Sequence, residues 1–350
     1  MTSAERIQRQ LKRANADAMV GAADRSILLR ADWIFDEALV RGLARSTSDV
    51  ALRAPEGDIV AVSVGAAGTP DALALLAAGK APADAHEVSA VEIADNYNDK
   101  LRKREPPYLL RLTEDNLPAI ERRTFAGAYK GVTDLVTLYA WPRPARYVTK
   151  VCANAGITPN QVTSLSLVMV LAAMWAFWTG HYAWGLVAAW IMTFLDTVDG
   201  KLARVTLRSS RFGDFFDHSI DLVHPPFWWW AWIVGLPAVG LPLQYATAAL
   251  VAIVAGYILQ RVEEGVFIAC FGIEMHVWRR FDSWFRLITA RRNPNLLLLT
   301  ASVIGSRPDI GIYAVAIWTV LCLGVHAVQL VQAAAAKRGG ALRSWLASPQ

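Results

Sequence analysis

Cysteine is nearly missing from this chain. Cys152, Cys270 and Cys322 are the only three, and none stands in a CxxC spacing, so the sequence offers no cysteine metal site and no disulfide framework. That usage fits a soluble part in the reducing cytosol. Charge is sparse too: 19% of residues are Asp, Glu, Lys or Arg, against 54% hydrophobic. The opening stretch MTSAERIQRQLKRANADAMV holds no apolar segment of the kind a cleaved leader requires. No glycine-rich loop able to wrap a nucleotide triphosphate precedes position 30.

What is there is unevenly spread. Positions 1–160 carry charges throughout, whereas from about 161 onward long runs rich in Trp, Leu, Val and Ala dominate. This pattern predicts a polytopic membrane protein with a soluble N-terminal extension. The net charge of +5 and the pI near 9.2 do not point to nucleic acid, because the basic residues stand beside the apolar runs and not on one polar face. They read as membrane orientation and contact with anionic lipid.

Residues 1–110 predict a small cytosolic α/β domain. An amphipathic basic helix over 3–15 is followed by apolar runs at 26–35, 50–53, 58–64 and 87–93, with helical patterns at 36–44 and 70–79. The run LLRADWIFD resembles the strand-end segment of sugar-nucleotide and inositol-phosphate nucleotidyltransferases, which would make Asp32 the metal- and nucleotide-holding acid. The missing phosphate loop turns this expectation toward a degenerate nucleotidyltransferase-like scaffold or dimerisation domain.

Residues 111–160 form a connector. In it, KGVTDLVTLYAWPRPARYVTK interleaves aromatics with Arg143, Arg146 and Lys150, as a helix lying on a membrane surface does. The membrane part, 161–338, divides into six apolar segments at 163–179, 182–203, 213–236, 241–265, 294–306 and 309–335, leaving 339–350 as a tail. Connections on one side hold one basic residue, Arg307. The other side collects Arg143, Arg146, Lys150, Lys201, Arg204, Arg208, Arg211, Arg279, Arg280, Arg286, Arg291, Arg292, Lys337 and Arg338, which predicts that this side and both termini are cytoplasmic.

The stretch 196–221, DTVDGKLARVTLRSSRFGDFFDHSID, breaks the membrane pattern. Asp196 and Asp199 fall at i, i+3 near the end of one apolar segment, and Asp217 and Asp221 at i, i+4 near the start of the next. With a rise of about 1.5 Å per residue across a core of about 30 Å, both pairs lie within a turn or two of the cytoplasmic boundary. Four carboxylates there repel one another unless cations compensate, and oxygen donors suit Mg²⁺ or Mn²⁺, two ions being enough to polarise a diphosphate. Gly200, Ala203 and Gly213 are small where a ligand or a facing helix must approach.

The pattern DxxDGxxAR, eight residues, then GxxxDxxxD resembles the signature of the CDP-alcohol phosphotransferases at all eight fixed positions. The resemblance covers about 130–335. It implies a six-helix membrane domain that transfers a substituted phosphate from a CDP-linked donor to an alcohol and releases CMP. It further implies that Asp196, Asp199, Asp217 and Asp221 hold Mg²⁺ or Mn²⁺, that Asp221 is also the general base, and that Gly200, Ala203, Arg204 and Gly213 line the CDP site. A homodimer in the bilayer is part of the same expectation, and nucleic acid is not.

Lys130-Gly-Val-Thr133-Asp134 also resembles a stretch of the subgroup with a fused cytidylyltransferase domain, the di-myo-inositol phosphate phosphate synthases. Either CDP-diacylglycerol or a CDP-inositol-like alcohol can then be the donor, with a polar, phosphorylated polyol as acceptor. Arg286, Arg291 and Arg292 can bind the acceptor phosphate or serve as membrane-face anchors. His218 and His224 read as packed or hydrogen-bonded, the tryptophans at 228–230 and 232 as belt or packing residues, and Glu263 and Glu264 as solvated or paired with Arg261. Two other classes stay open: a non-catalytic membrane scaffold, and an ion-coupled transporter using the acids as a cation site.

Overall fold

The computed structural model describes residues 2–17, 25–208 and 210–347; for 15–17 and 211 only the backbone is described. The Arg211 side chain, counted above on the basic face, and residues 348–350 of the tail therefore lie outside the described set. The chain divides into two compact units, residues 1–129 with 205–207, and residues 130–204 with 208–350.

The first unit begins with helix α1 (Ser3–Asp17) and continues β1 (Arg25–Leu29), β2 (Trp33–Phe35), α2 (Glu37–Arg45), β3 (Val50–Arg53), β4 (Ile59–Gly65), α3 (Thr69–Ala77), β5 (His86–Val88), α4 (Ala90–Ile93), β6 (Tyr97–Asn98), β7 (Lys103–Arg104), β8 (Leu109–Arg111) and α5 (Leu117–Gly127). Its main sheet has the order β1-β4-β3-β5, antiparallel except for the β3–β5 pair. The apolar run 26–35 does not make one strand. It breaks after Leu29, where the Arg30 guanidinium pairs with Asp32 at 2.7 Å, and resumes as β2 on β8. Asp36 then caps α2 by accepting the Ala38 N–H at 2.9 Å, which turns Leu39, Val40 and Leu43 onto Trp33 and Phe35 in a closed core.

The second unit starts with a short π-helix, Val136–Ala140, and continues α6 (Pro142–Asn154), α7 (Pro159–Trp178), α8 (Tyr182–Val205), α9 (Arg211–Gly235), α10 (Ala246–Phe271), α11 (Arg280–Phe285), α12 (Arg292–Ile304) and α13 (Pro308–Lys337). Thr158 and Gln161 form a capping box that starts α7. Among the described residues three helices, α7, α10 and α13, are long and apolar enough to cross a membrane. The other three segments drawn from the sequence differ for physical reasons. α8 and α9 carry the acids, and α12, with 13 residues, extends only about 20 Å at ~1.5 Å per residue.

Packing in this unit is close. Trp228, Trp229 and Trp232 are buried among α7, α9 and α13, and the indole N–H groups of Trp228 and Trp232 donate to Val170 O and Pro308 O, both at 3.0 Å. Gly256 lets α10 lie on α13, since a Cβ there would stand 2.6 Å from the Thr319 methyl. α9 contains Pro225 and Pro226, which remove two helical donors. The carbonyl of Leu222, four residues before Pro226, accepts instead from the Tyr257 hydroxyl at 3.1 Å.

Candidate functional site

α8 and α9 bring the two halves of the acidic motif together. Side-chain oxygens of Asp196, Asp217 and Asp221 all lie within 4.8 Å of one another. Asp199, one helical turn from Asp196, is turned toward α7: its carboxylate accepts from the Thr163 hydroxyl at 2.7 Å and from the Gly200 N–H at 2.5 Å. α9 begins where Ser210 accepts the Gly213 N–H at 3.0 Å, and this cap fixes the phase that puts Asp217 and Asp221 on the α8 side.

Beside the acids runs a narrow cleft of about 40 Å³ lined by Asn160, Thr163, Asp199, Gly200, Ala203, Arg208, Ser210, Gly213 and Asp217 among others. The two glycines leave little room for a side chain there. A Cβ on Gly213 would stand 2.6 Å from Asn160 Oδ1 and 3.1 Å from Ser210 Oγ, and one on Gly200 would stand 3.3 Å from the Arg204 guanidinium. Asn160 and Thr163 join this cleft without having been singled out from the sequence, and Arg208 joins it from the basic residues counted on one side of the membrane part. The turn ITPNQVT at 157–163, just before and into α7, was the visible signal for Asn160 and Thr163.

The three arginines assigned to an acceptor phosphate have separate surroundings. Arg292, at the start of α12, donates to Asp196 Oδ2 at 2.6 Å and to Asp221 Oδ1, so it is a counter-charge inside the carboxylate cluster. Arg291 donates to Glu264, which also pairs with Arg261 at 3.2 Å and with His276 at 3.2 Å. Burial holds the His276 imidazole down at about 3, and the Glu264 side chain does not offset it, so this histidine is neutral. Glu264, His276 and His326 lie within mutual reach, but the Arg291 guanidinium already contacts both the Glu264 carboxylate and the His276 ring, supplying the cation. Arg286 is buried near Asp134.

His224 and His218 bond to the carbonyls of Ile220 at 2.6 Å and Asp214 at 3.0 Å. They stand as hydrogen-bonded residues of α9. In the other unit, Asp32 is engaged by Arg30, which holds its carboxyl below the usual value.

The carboxylate cluster fits a hard divalent cation. Its donors are all oxygens, three acids converge, and the protein already draws a guanidinium into their midst to offset their charge.

Comparison with known proteins bears on the same stretch. The CDP-alcohol phosphatidyltransferase family matches residues 156–290, which hold all four aspartates. An archaetidylinositol phosphate synthase of Pyrococcus horikoshii is 37% identical over 79 residues, 23% of this chain and 42% of that protein. Phosphatidylinositol phosphate synthases of Mycobacteroides abscessus and Mycolicibacterium smegmatis are 32% and 30% identical over 116 and 135 residues, 31% and 37% of this chain and 52% and 60% of theirs. The matched stretch thus spans about half the length of these relatives. Four aspartates on two helices, glycines that keep a cleft open beside them, and a family match over that same region agree: residues 156–290 are similar to the CDP-alcohol phosphatidyltransferase family.

Proposed function

We propose that this protein is an integral membrane transferase that moves a substituted phosphate from a CDP-linked donor to the hydroxyl of an inositol phosphate or similar polyol phosphate, releasing CMP. The convergence of Asp196, Asp217 and Asp221 from two helices carries this reading. Names of the relatives support the acceptor class, since phosphatidylinositol phosphate joins a lipid phosphate to a phosphorylated inositol. CDP-diacylglycerol is the preferred donor, with a CDP-inositol-like alcohol as the second.

Asp196, Asp199, Asp217 and Asp221 would hold Mg²⁺ or Mn²⁺, which when bound polarises the diphosphate and stabilises the departing CMP. Asp221 is the residue to take the acceptor proton; its side chain is 41% exposed against 22% for Asp196, so it can be reached from solution. Gly200, Ala203 and Gly213 leave room for the nucleotide, with Arg204 and Arg208 near its phosphates. Arg291, steadied by Glu264, is the acceptor-phosphate residue of the original three, because Arg292 is committed to the carboxylates. In this reading α7–α10, α12 and α13 form the membrane domain, with its acidic end and both termini cytoplasmic, as a homodimer. The N-terminal unit is a non-catalytic scaffold, which the Arg30 clamp on Asp32 supports.

The test is CMP release by the purified full chain, with CDP-diacylglycerol and CDP-inositol each offered against a panel of polyol phosphates, with and without Mg²⁺ or Mn²⁺. Metal-dependent CMP release with inositol phosphate is expected. Absence of CMP from every pair would overturn the reading in favour of a scaffold, and cation flux into vesicles without CMP would favour a transporter.

A further inference from the structure

Asp134, in the connector motif Lys130-Gly-Val-Thr133-Asp134, has no part in the transfer chemistry above, yet it is buried to 7% exposure. Its Oδ1 accepts from Thr137 N–H at 3.0 Å and from Asn293 Nδ2 at 2.9 Å, and its Oδ2 from the Thr137 hydroxyl at 2.8 Å. Asn293, itself 4% exposed, also donates to Thr137 Oγ1 at 3.1 Å. The next backbone N–H, of Leu135, donates to Leu287 O at 3.0 Å. At its other end the same short segment places Trp141 edge-on to Phe194 (5.2 Å) and Trp190 (6.2 Å), just before Asp196 on α8.

The segment 134–141 therefore grips the first turn of α12 with one end and the acid-bearing part of α8 with the other. Those are the two elements joined by the Arg292–Asp196 ion pair. Asn293 is the residue next to Arg292, so a clamp on Asn293 sets where the Arg292 backbone starts. A long guanidinium side chain reaches two carboxylates at once only from a fixed base.

We infer that Asp134 is a positioning residue for Arg292: by clamping Asn293 it holds the guanidinium between Asp196 and Asp221 and so sets how strongly the carboxylates attract a divalent cation. Arg292 and a metal ion compete for the same oxygens. Loosening Arg292 changes cation affinity whether or not turnover follows. The inference rests on the transferase reading only for its consequence on CMP release.

The experiment is a double-mutant cycle on the full chain in detergent, reading Mn²⁺ affinity by electron paramagnetic resonance and, separately, CMP release. Asp134→Asn is expected to change Mn²⁺ affinity by about fivefold or more in the native background and by less than about twofold in an Arg292→Gln background. An equal factor in both backgrounds, or no change in either, would overturn the positioning role, because a merely structural residue acts additively. If Asp134→Asn fails to fold, Asn293→Ala runs through the same cycle from the α12 side with the same criteria. A coupled Mn²⁺ cycle without any CMP release would sink the transferase reading and leave this inference standing.

Discussion

Arg292 and Asp221 form an ion pair although 71 residues separate them in sequence, and the same guanidinium holds Asp196 at 2.6 Å. The carboxylate cluster thus carries a built-in positive charge. Chelation is therefore expected to abolish CMP release without unfolding the protein. Activity with EDTA should return on adding Mg²⁺ or Mn²⁺, while the thermal midpoint in detergent stays within a few degrees. A large drop in that midpoint would mean that the ions, and not Arg292, hold the acids together.

Asp221→Asn keeps the shape of the side chain and removes its ability to take a proton. Loss of a general base costs about 10²- to 10⁴-fold in rate, so kcat should fall by that range with the acceptor KM changed much less. Steady-state CMP release at saturating metal checks this. A variant with native kcat would remove Asp221 from the base role.

Gly213→Ala places a methyl 2.6 Å from Asn160 Oδ1 and crowds the cleft. Overpacking of this kind costs about 1–3 kcal/mol, here expected mainly as a raised KM for the CDP-linked donor. An unchanged donor KM would place the nucleotide elsewhere.

Asp134 gives a pH signature. Burial alone would raise its pKa, but the Arg286 charge and hydrogen bonds from Thr137 and Asn293 hold it below the ordinary carboxylate value. A depressed folded-state pKa contributes stability that is present above the unfolded value, about 4, and is lost as pH falls through the folded one. The thermal midpoint gap between the native chain and Asp134→Asn should therefore be full at neutral pH and shrink below about pH 4. A gap that stays constant down to acid pH would show that the charge of Asp134 contributes nothing.

The acidic motif was legible because its spacing is local: i, i+3 and i, i+4 put the acids of each pair one helical turn apart. The turn of Asp199 toward Thr163 was not legible, since Asp196 and Asp199 look alike until α7 packs against α8. Arg292 was visible as a basic residue near a membrane boundary, but its role depends on α12 folding back across α8 and α9. In the N-terminal unit, α2 and β4 follow directly from periodicity. The break at Arg30–Asp32 was hidden inside one apolar run, because a local ion pair leaves no periodic trace. The fifth apolar segment, 294–306, is the short one in the sequence, and it folds as the 13-residue α12.

Pro225 and Pro226 stand one turn beyond Asp221. Past them, the second half of α9 is fastened by the indoles of Trp228 and Trp232. Before them, the helical ladder is interrupted and one of its bonds is replaced by the Tyr257 hydroxyl. The prolines therefore divide α9 into an acid-bearing part and an anchored part, and the backbone hydrogen bonds they remove do not tie Asp217 and Asp221 to the tryptophan core.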